Sequence, residues 1–176
     1  MEGRDLLTNA LMRVQVSIHT VLNGLTPGQL VFRPNVSSNT IAWLIWHLTR
    51  VQDHHISDLL GLPQKWVDQG FCAKFNLKPD PLNTGTGHTP EEVAMIQPSS
   101  GEILREYFDA VFERTKEYLQ PLTAADLDVE LDERQYDPLP TVGIRLISVV
   151  NDNTQHVGQA AYLRGLLMAE GRELGL

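Results

Sequence analysis

His47, Asp152 and His156 are the residues of this chain whose types and spacing are best suited to chemistry. Asp152 and His156 are four positions apart, so a helix stacks them one turn from each other on one face. His47 lies far upstream, in a run dense in apolar residues where an unpaired imidazole would be costly. Two imidazoles and one carboxylate are what a divalent transition metal takes when positions stay open for water or substrate. Such an N/N/O set suits several metals, Zn²⁺, Ni²⁺, Fe²⁺ or Mn²⁺, and Zn²⁺ is the expected one. The spacing equally fits a blander arrangement: an interior histidine with a satisfied hydrogen bond, and an Asp152 solvated beside Asn151 and Asn153.

The elements that must carry these residues can be read from apolar periodicity. Leu7, Leu11, Val14, Ile18, Val21 and Leu22 predict a first helix over 5–23, with Gly24 as its stop. Asn39 caps a second helix over 40–60, whose stripe runs Ile41, Leu44, Ile45, Leu48, Val51 and Ile56 until Gly61 and Pro63 end it. Ile103, Leu104, Tyr107, Val111, Phe112 and Tyr118 mark a third over 101–119, and a fourth runs over 142–170. Between the second and third, residues 63–100 turn to Gly, Pro, Asn and Thr, interrupted by one short helix opened by the Thr89-Pro90-Glu91-Glu92 capping box. The expected fold is all-α: a four-helix bundle with a long crossover between its second and third helices, spanning 1–176 as one domain. A loop of that length is often functional.

Composition narrows the function. A net charge of -8 without a Lys/Arg run leaves no electrostatic footprint for nucleic acid. There is no apolar stretch long enough to span a membrane, and MEGRDLLTNALMRVQ has no signal-peptide apolar region, so a cytoplasmic location is expected. One cysteine, Cys72, rules out an intramolecular disulfide framework. Standing alone in its loop, it reads as an incidental thiol sooner than as a nucleophile. His54, beyond His47 on the same helix, is a candidate acid/base group or extra ligand, against a plain polar rim position. Gln159, one turn past His156, can orient a ligand or form an ordinary buried hydrogen bond. Arg50 and His88 are candidates to border a pocket for a hydrophilic coenzyme. Arg164 fits either a coenzyme anion or its own helix end, and Trp43 and Trp46 read as core or interface aromatics.

The segments Asn39-Thr40-Ile41-Ala42-Trp43-Leu44-Ile45-Trp46-His47-Leu48 and Gln155-His156-Val157-Gly158-Gln159-Ala160-Ala161-Tyr162-Leu163-Arg164-Gly165 resemble the second and fourth helices of the DinB-like superfamily of metal-binding four-helix bundles. Gly87-His88-Thr89-Pro90-Glu91-Glu92-Val93 and Arg33-Pro34 resemble an actinobacterial branch that includes mycothiol S-transferases and the N-terminal domain of mycothiol-dependent maleylpyruvate isomerase. The resemblance implies a divalent metal on His47, Asp152 and His156. Relatives carry histidine or glutamate at the middle place, so the shorter aspartate is a departure. It further implies a low-molecular-weight thiol co-substrate, mycothiol or bacillithiol, transferred to electrophilic small molecules in detoxification. The alternative is a non-catalytic, metal-containing stress-response bundle acting by binding or as a homodimer.

Overall fold

Four long helices form where the apolar periodicity requires them in the computed structural model, which describes the backbone of residues 1–173 and side chains through 169. The chain runs α1 (Gly3–Leu22), α2 (Pro27–Leu30), α3 (Ile41–Leu60), α4 (Lys65–Asp68), α5 (Phe71–Lys74), α6 (Pro90–Ala94), α7 (Gly101–Leu119), α8 (Ala124–Leu127) and α9 (Val142–Glu173). The long helices match the expected ones to within three residues at every end. α1 packs on α7 and α9, and α3 packs on α7 and α9, so α1 and α3 stand diagonally across a four-helix bundle. Leu11, Ile18, Leu44, Ile45, Phe108, Val111 and Leu146 belong to its core cluster.

Capping sets where the elements start. The Thr40 side chain, not the expected Asn39, accepts from the Trp43 amide to open α3, and Gly61 closes it in the left-handed conformation. The 63–100 crossover holds three short helices, two more than expected. α4 has no side-chain cap of its own. Asp53 of α3 supplies it from a distance, its carboxylate accepting from the Lys65 amide at 3.0 Å and the Trp66 amide at 2.8 Å. The linker between α7 and α9 also contains a short helix, α8, and an isolated antiparallel bridge pairs Glu130 with Thr141.

Polar residues inside α3 pin the crossover to the bundle. Arg50 and Asp53 are both fully buried and stand 3.8 Å apart. Asp53 also takes the Tyr107 hydroxyl at 2.8 Å and the Ser57 hydroxyl at 3.2 Å. Arg50 donates to the carbonyls of Asp80, Pro81 and Asn83, to Gln64 Oε1 and to the Tyr107 oxygen. Desolvation and the neighbouring Asp53 charge hold the Tyr107 hydroxyl far above its ordinary range, so it stays a donor. On the other side of α3, Asn153 donates to Gln52, which donates to Thr115, a chain of side-chain hydrogen bonds across three helices. Removing one member of a buried pair strands the other charge. Asp53→Ala is therefore expected to lower the unfolding free energy by about 3–5 kcal/mol in urea titration, and Tyr107→Phe by about 1–2 kcal/mol.

Candidate metal centre

α3 and α9 run antiparallel: Leu44 lies level with Leu163 at one end of their shared groove, and Asp58 pairs with Arg145 at the other. His47 from α3 meets Asp152 and His156 from α9 between these levels. His47 Nε2 is 3.8 Å from Asp152 Oδ1, and His156 Nε2 is 3.4 Å from the same oxygen. One ligand-capable atom from each residue lies within 4.8 Å of the others. The imidazole rings are 4.8 Å apart and nearly perpendicular. His47 is buried, while Asp152 and His156 are partly open to the groove.

The opposite edge of each ring fixes which nitrogen is free. His47 Nδ1 lies 2.6 Å from the Thr84 carbonyl, which can only accept, so Nδ1 carries the proton and Nε2 keeps its lone pair toward Asp152. His156 Nδ1 lies 3.0 Å from Gln159 Oε1, giving the same tautomer. Burial pushes the His47 pKa down, against the opposing pull of the Thr84 carbonyl and Asp152, and favours the neutral, ligand-competent ring. The Asp152 hydrogen bond raises that of His156. Trp43 stacks on His47 at 4.6 Å between centroids and 8° between planes, and meets His156 edge-on at 6.2 Å. Its indole thus backs both ligands and shields them from water.

Not every expected residue reaches the centre. Gln159 orients His156, as its spacing allows. His54 turns to Gln64, whose amide lies 3.1 Å from Nδ1. His55, its neighbour in sequence, lies beside Arg145 and Ser148 of α9. Arg50 offers a coenzyme nothing, being fully buried with its donors committed to the crossover. His88 is committed as well: Nδ1 accepts from Trp43 Nε1 at 3.2 Å and Nε2 donates to Asn83 at 2.8 Å. Arg164 closes α1, donating to the Val21 and Asn23 carbonyls. Cys72 is a buried core residue. Sequence reasoning did not single out Gly85. At φ +95°, a Cβ there would lie 2.8 Å from the Trp46 ring and 3.0 Å from His47 Nδ1, so only glycine lets the loop carrying Thr84 close on the histidine.

The residues fit a divalent cation. Ligand atoms about 2.1 Å from one ion stand roughly 3.4 Å apart at tetrahedral angles, close to the separations from Asp152 Oδ1. Asp152 Oδ2 is buried without a hydrogen-bond partner, a cost a bound cation removes. The model of the DinB superfamily matches residues 10–160. This chain belongs to the DinB superfamily. A crystal structure of a conserved protein from Enterococcus faecalis is similar over 96% of this chain and 99% of that one, at 29% identity and a TM-score of 0.88. No curated protein matches the chain. Among the described residues, no helix of this DinB bundle is long and apolar enough to cross a membrane.

His47→Ala and His156→Ala are expected to abolish bound metal in protein reconstituted with one equivalent of Zn²⁺, read by elemental analysis. Asp152→Ala should weaken binding less. Gly85→Ala, which pushes the Thr84 carbonyl off His47 Nδ1, should lower affinity about 10–100-fold. Acid should act elsewhere, through His55. Burial pushes its pKa down to about 4, so as pH falls below about 6.5 the unfolded chain takes up a proton that the folded one refuses. Stability is thus expected to fall between pH 6.5 and 4, by about 2 kcal/mol for this partly exposed ring. In His55→Gln that part of the slope should vanish from urea titrations.

Proposed function

We propose that this DinB protein is a metal-dependent thiol S-transferase that joins a low-molecular-weight thiol, mycothiol in the first instance, to electrophilic small molecules. The observation that carries the reading is the convergence of His47 Nε2, His156 Nε2 and Asp152 Oδ1 in a groove open on one side. Three protein ligands leave a position for an exogenous thiol, whereas a fourth would make the site structural. A bound divalent ion, Zn²⁺ foremost, supplies the positive charge that holds a thiolate at neutral pH.

The chain's own groups do the rest. His47, Asp152 and His156 would hold the ion, with Thr84 and Gln159 fixing the ring orientations. The proton the thiol gives up leaves to solvent through the open side of the groove. Trp43 keeps water from one side, leaving the sulfur more reactive. Beside Gln159 the groove widens into a cavity of about 610 Å³, lined by Ser37, Ser38, Asn39 and Tyr162 without any charged side chain. Hydroxyls and amides of that kind suit a neutral, polyhydroxylated thiol carrier better than a peptide thiol with several carboxylates. Attack by sulfur forms the carbon–sulfur bond as the leaving group departs with its electron pair.

The test is turnover of mycothiol with a fluorogenic alkyl bromide by Zn²⁺-loaded protein. Chelation is expected to cut the rate at least about 100-fold, a loss of roughly 2.7 kcal/mol in transition-state stabilisation, with helical circular dichroism retained. The rate should rise with pH and level off once the thiol is ionised. A rate equal to the uncatalysed one with and without metal would return the protein to the non-catalytic, metal-binding reading.

A further inference from the structure

Trp43 is the side chain that meets both imidazoles of the centre, lying flat on His47 and edge-on to His156. Trp43 and His47 are four positions apart on α3, which brings the two rings within reach of each other. That spacing does not fix how the indole turns, because rotation about the bond to an aromatic ring is broad. The parallel stack, 8° between planes, therefore depends on what holds the indole edge. The indole has one polar atom, Nε1, and it donates to His88 Nδ1 at 3.2 Å. Burial beside this loop does not by itself supply such a partner: Trp46 Nε1, three residues on, is buried and has none. His88 is held in turn on three sides. Since Nδ1 accepts, Nε2 carries the proton and donates to Asn83 Oδ1 at 2.8 Å. The His88 ring stacks on Trp46 at 5.7 Å and 21°. Its backbone amide donates to the Gly85 carbonyl at 3.1 Å.

We propose that His88 is a positioning residue of the metal centre: by fixing the Trp43 indole over His47, it raises cation affinity and sets the ligand geometry. A cation bound at Nε2 draws electron density from the imidazole and leaves the ring partly positive. The π face of an indole attracts a positive group lying over it, more strongly where water is excluded. The stack thus favours the loaded ring over the free one, and a tilted indole gives up part of that preference. His88 makes no hydrogen bond to a ligand side chain and acts through Trp43. The loop that carries it also brings the Thr84 carbonyl to His47 Nδ1 at 2.6 Å. One segment therefore grips the same ligand twice, at its outer edge and, through the indole, across its face. The inference rests on the metal centre and not on the thiol chemistry.

The probes are Zn²⁺ and Co²⁺ alone, added to the metal-free full chain. The Trp43 Nε1–H proton resonance, assigned by its loss in Trp43→Phe, is expected to move in His88→Leu. Zn²⁺ affinity, read by chelator competition, should fall about tenfold in His88→Leu, and the visible bands of bound Co²⁺ should shift. His88→Gln, which keeps one acceptor and one donor, should recover most of the affinity. Trp43→Phe keeps a stacked ring but has no N–H to donate, so in that background His88→Leu should cost no further affinity. The comparison separates positioning from a general loosening of the fold, which would lower affinity in either background. Unchanged Zn²⁺ affinity and Co²⁺ bands in His88→Leu, or an equal loss in both backgrounds, would overturn the inference. Wild-type protein that takes up neither ion would overturn the metal centre itself. Absent turnover with mycothiol, while the affinities behave as expected, would overturn the thiol-transfer reading and leave this inference standing.

Discussion

The Arg50–Asp53 pair inside α3 is the constraint on which the rest of the arrangement depends. Two opposite charges with no solvent exposure are tolerable only where hydrogen bonds satisfy nearly every polar atom, and here the missing partners come from the crossover. Asp53 collects the amides that open α4, and Arg50 collects three carbonyls between Asp80 and Asn83. The next residue is Thr84, whose carbonyl takes the proton of His47. The buried pair therefore acts at a distance on the metal centre: by immobilising the loop, it fixes the tautomer and tilt of one ligand. A more apolar α3 would make a more stable helix and would leave 63–100 without an anchor.

What the sequence makes legible follows from how local each cause is. The long helices can be read because each buries a continuous stripe, and periodicity records it. α4 cannot be read because the side chain that starts it lies on another helix. The short helices at Thr26 and Thr123 do carry local capping boxes, closed by Gln29 and Asp126, so a closer reading of those two sites would have found them. Among the site residues, the Asp152/His156 spacing is a property of one helix, and His47 is recognisable as an imidazole in an apolar run. The rotation of α3 against its neighbours is not local, and it decides that His55 and not His54 faces the groove. Arg50 looks from its charge like a residue for solvent or coenzyme. Only the tertiary structure shows its donors spent internally. Gly85 carries no signal of its own, because its need for a missing Cβ arises from Trp46 and His47, distant in sequence.

Where the hydrogen-bond economy fails is itself informative. Among the described residues, the buried side-chain polar atoms without a partner are Trp46 Nε1, Arg145 Nε, Asp152 Oδ2 and Asn153 Oδ1. All four belong to α3 and α9, the helices that build the groove. Other polar groups inside the bundle are paired, as where the Gln52 amide donates to the Thr115 hydroxyl, which donates to the Val111 carbonyl. Of the four, Asp152 Oδ2 belongs to the candidate metal centre, and functional sites are where such local violations are expected to collect. The Asp152 oxygen is the most costly of the four, because a carboxylate is worse to desolvate than an amide or indole. A cation held by Asp152 and the two imidazoles would lower that cost. Stability and function thus pull against each other at one atom, and the surrounding bundle holds that atom in place.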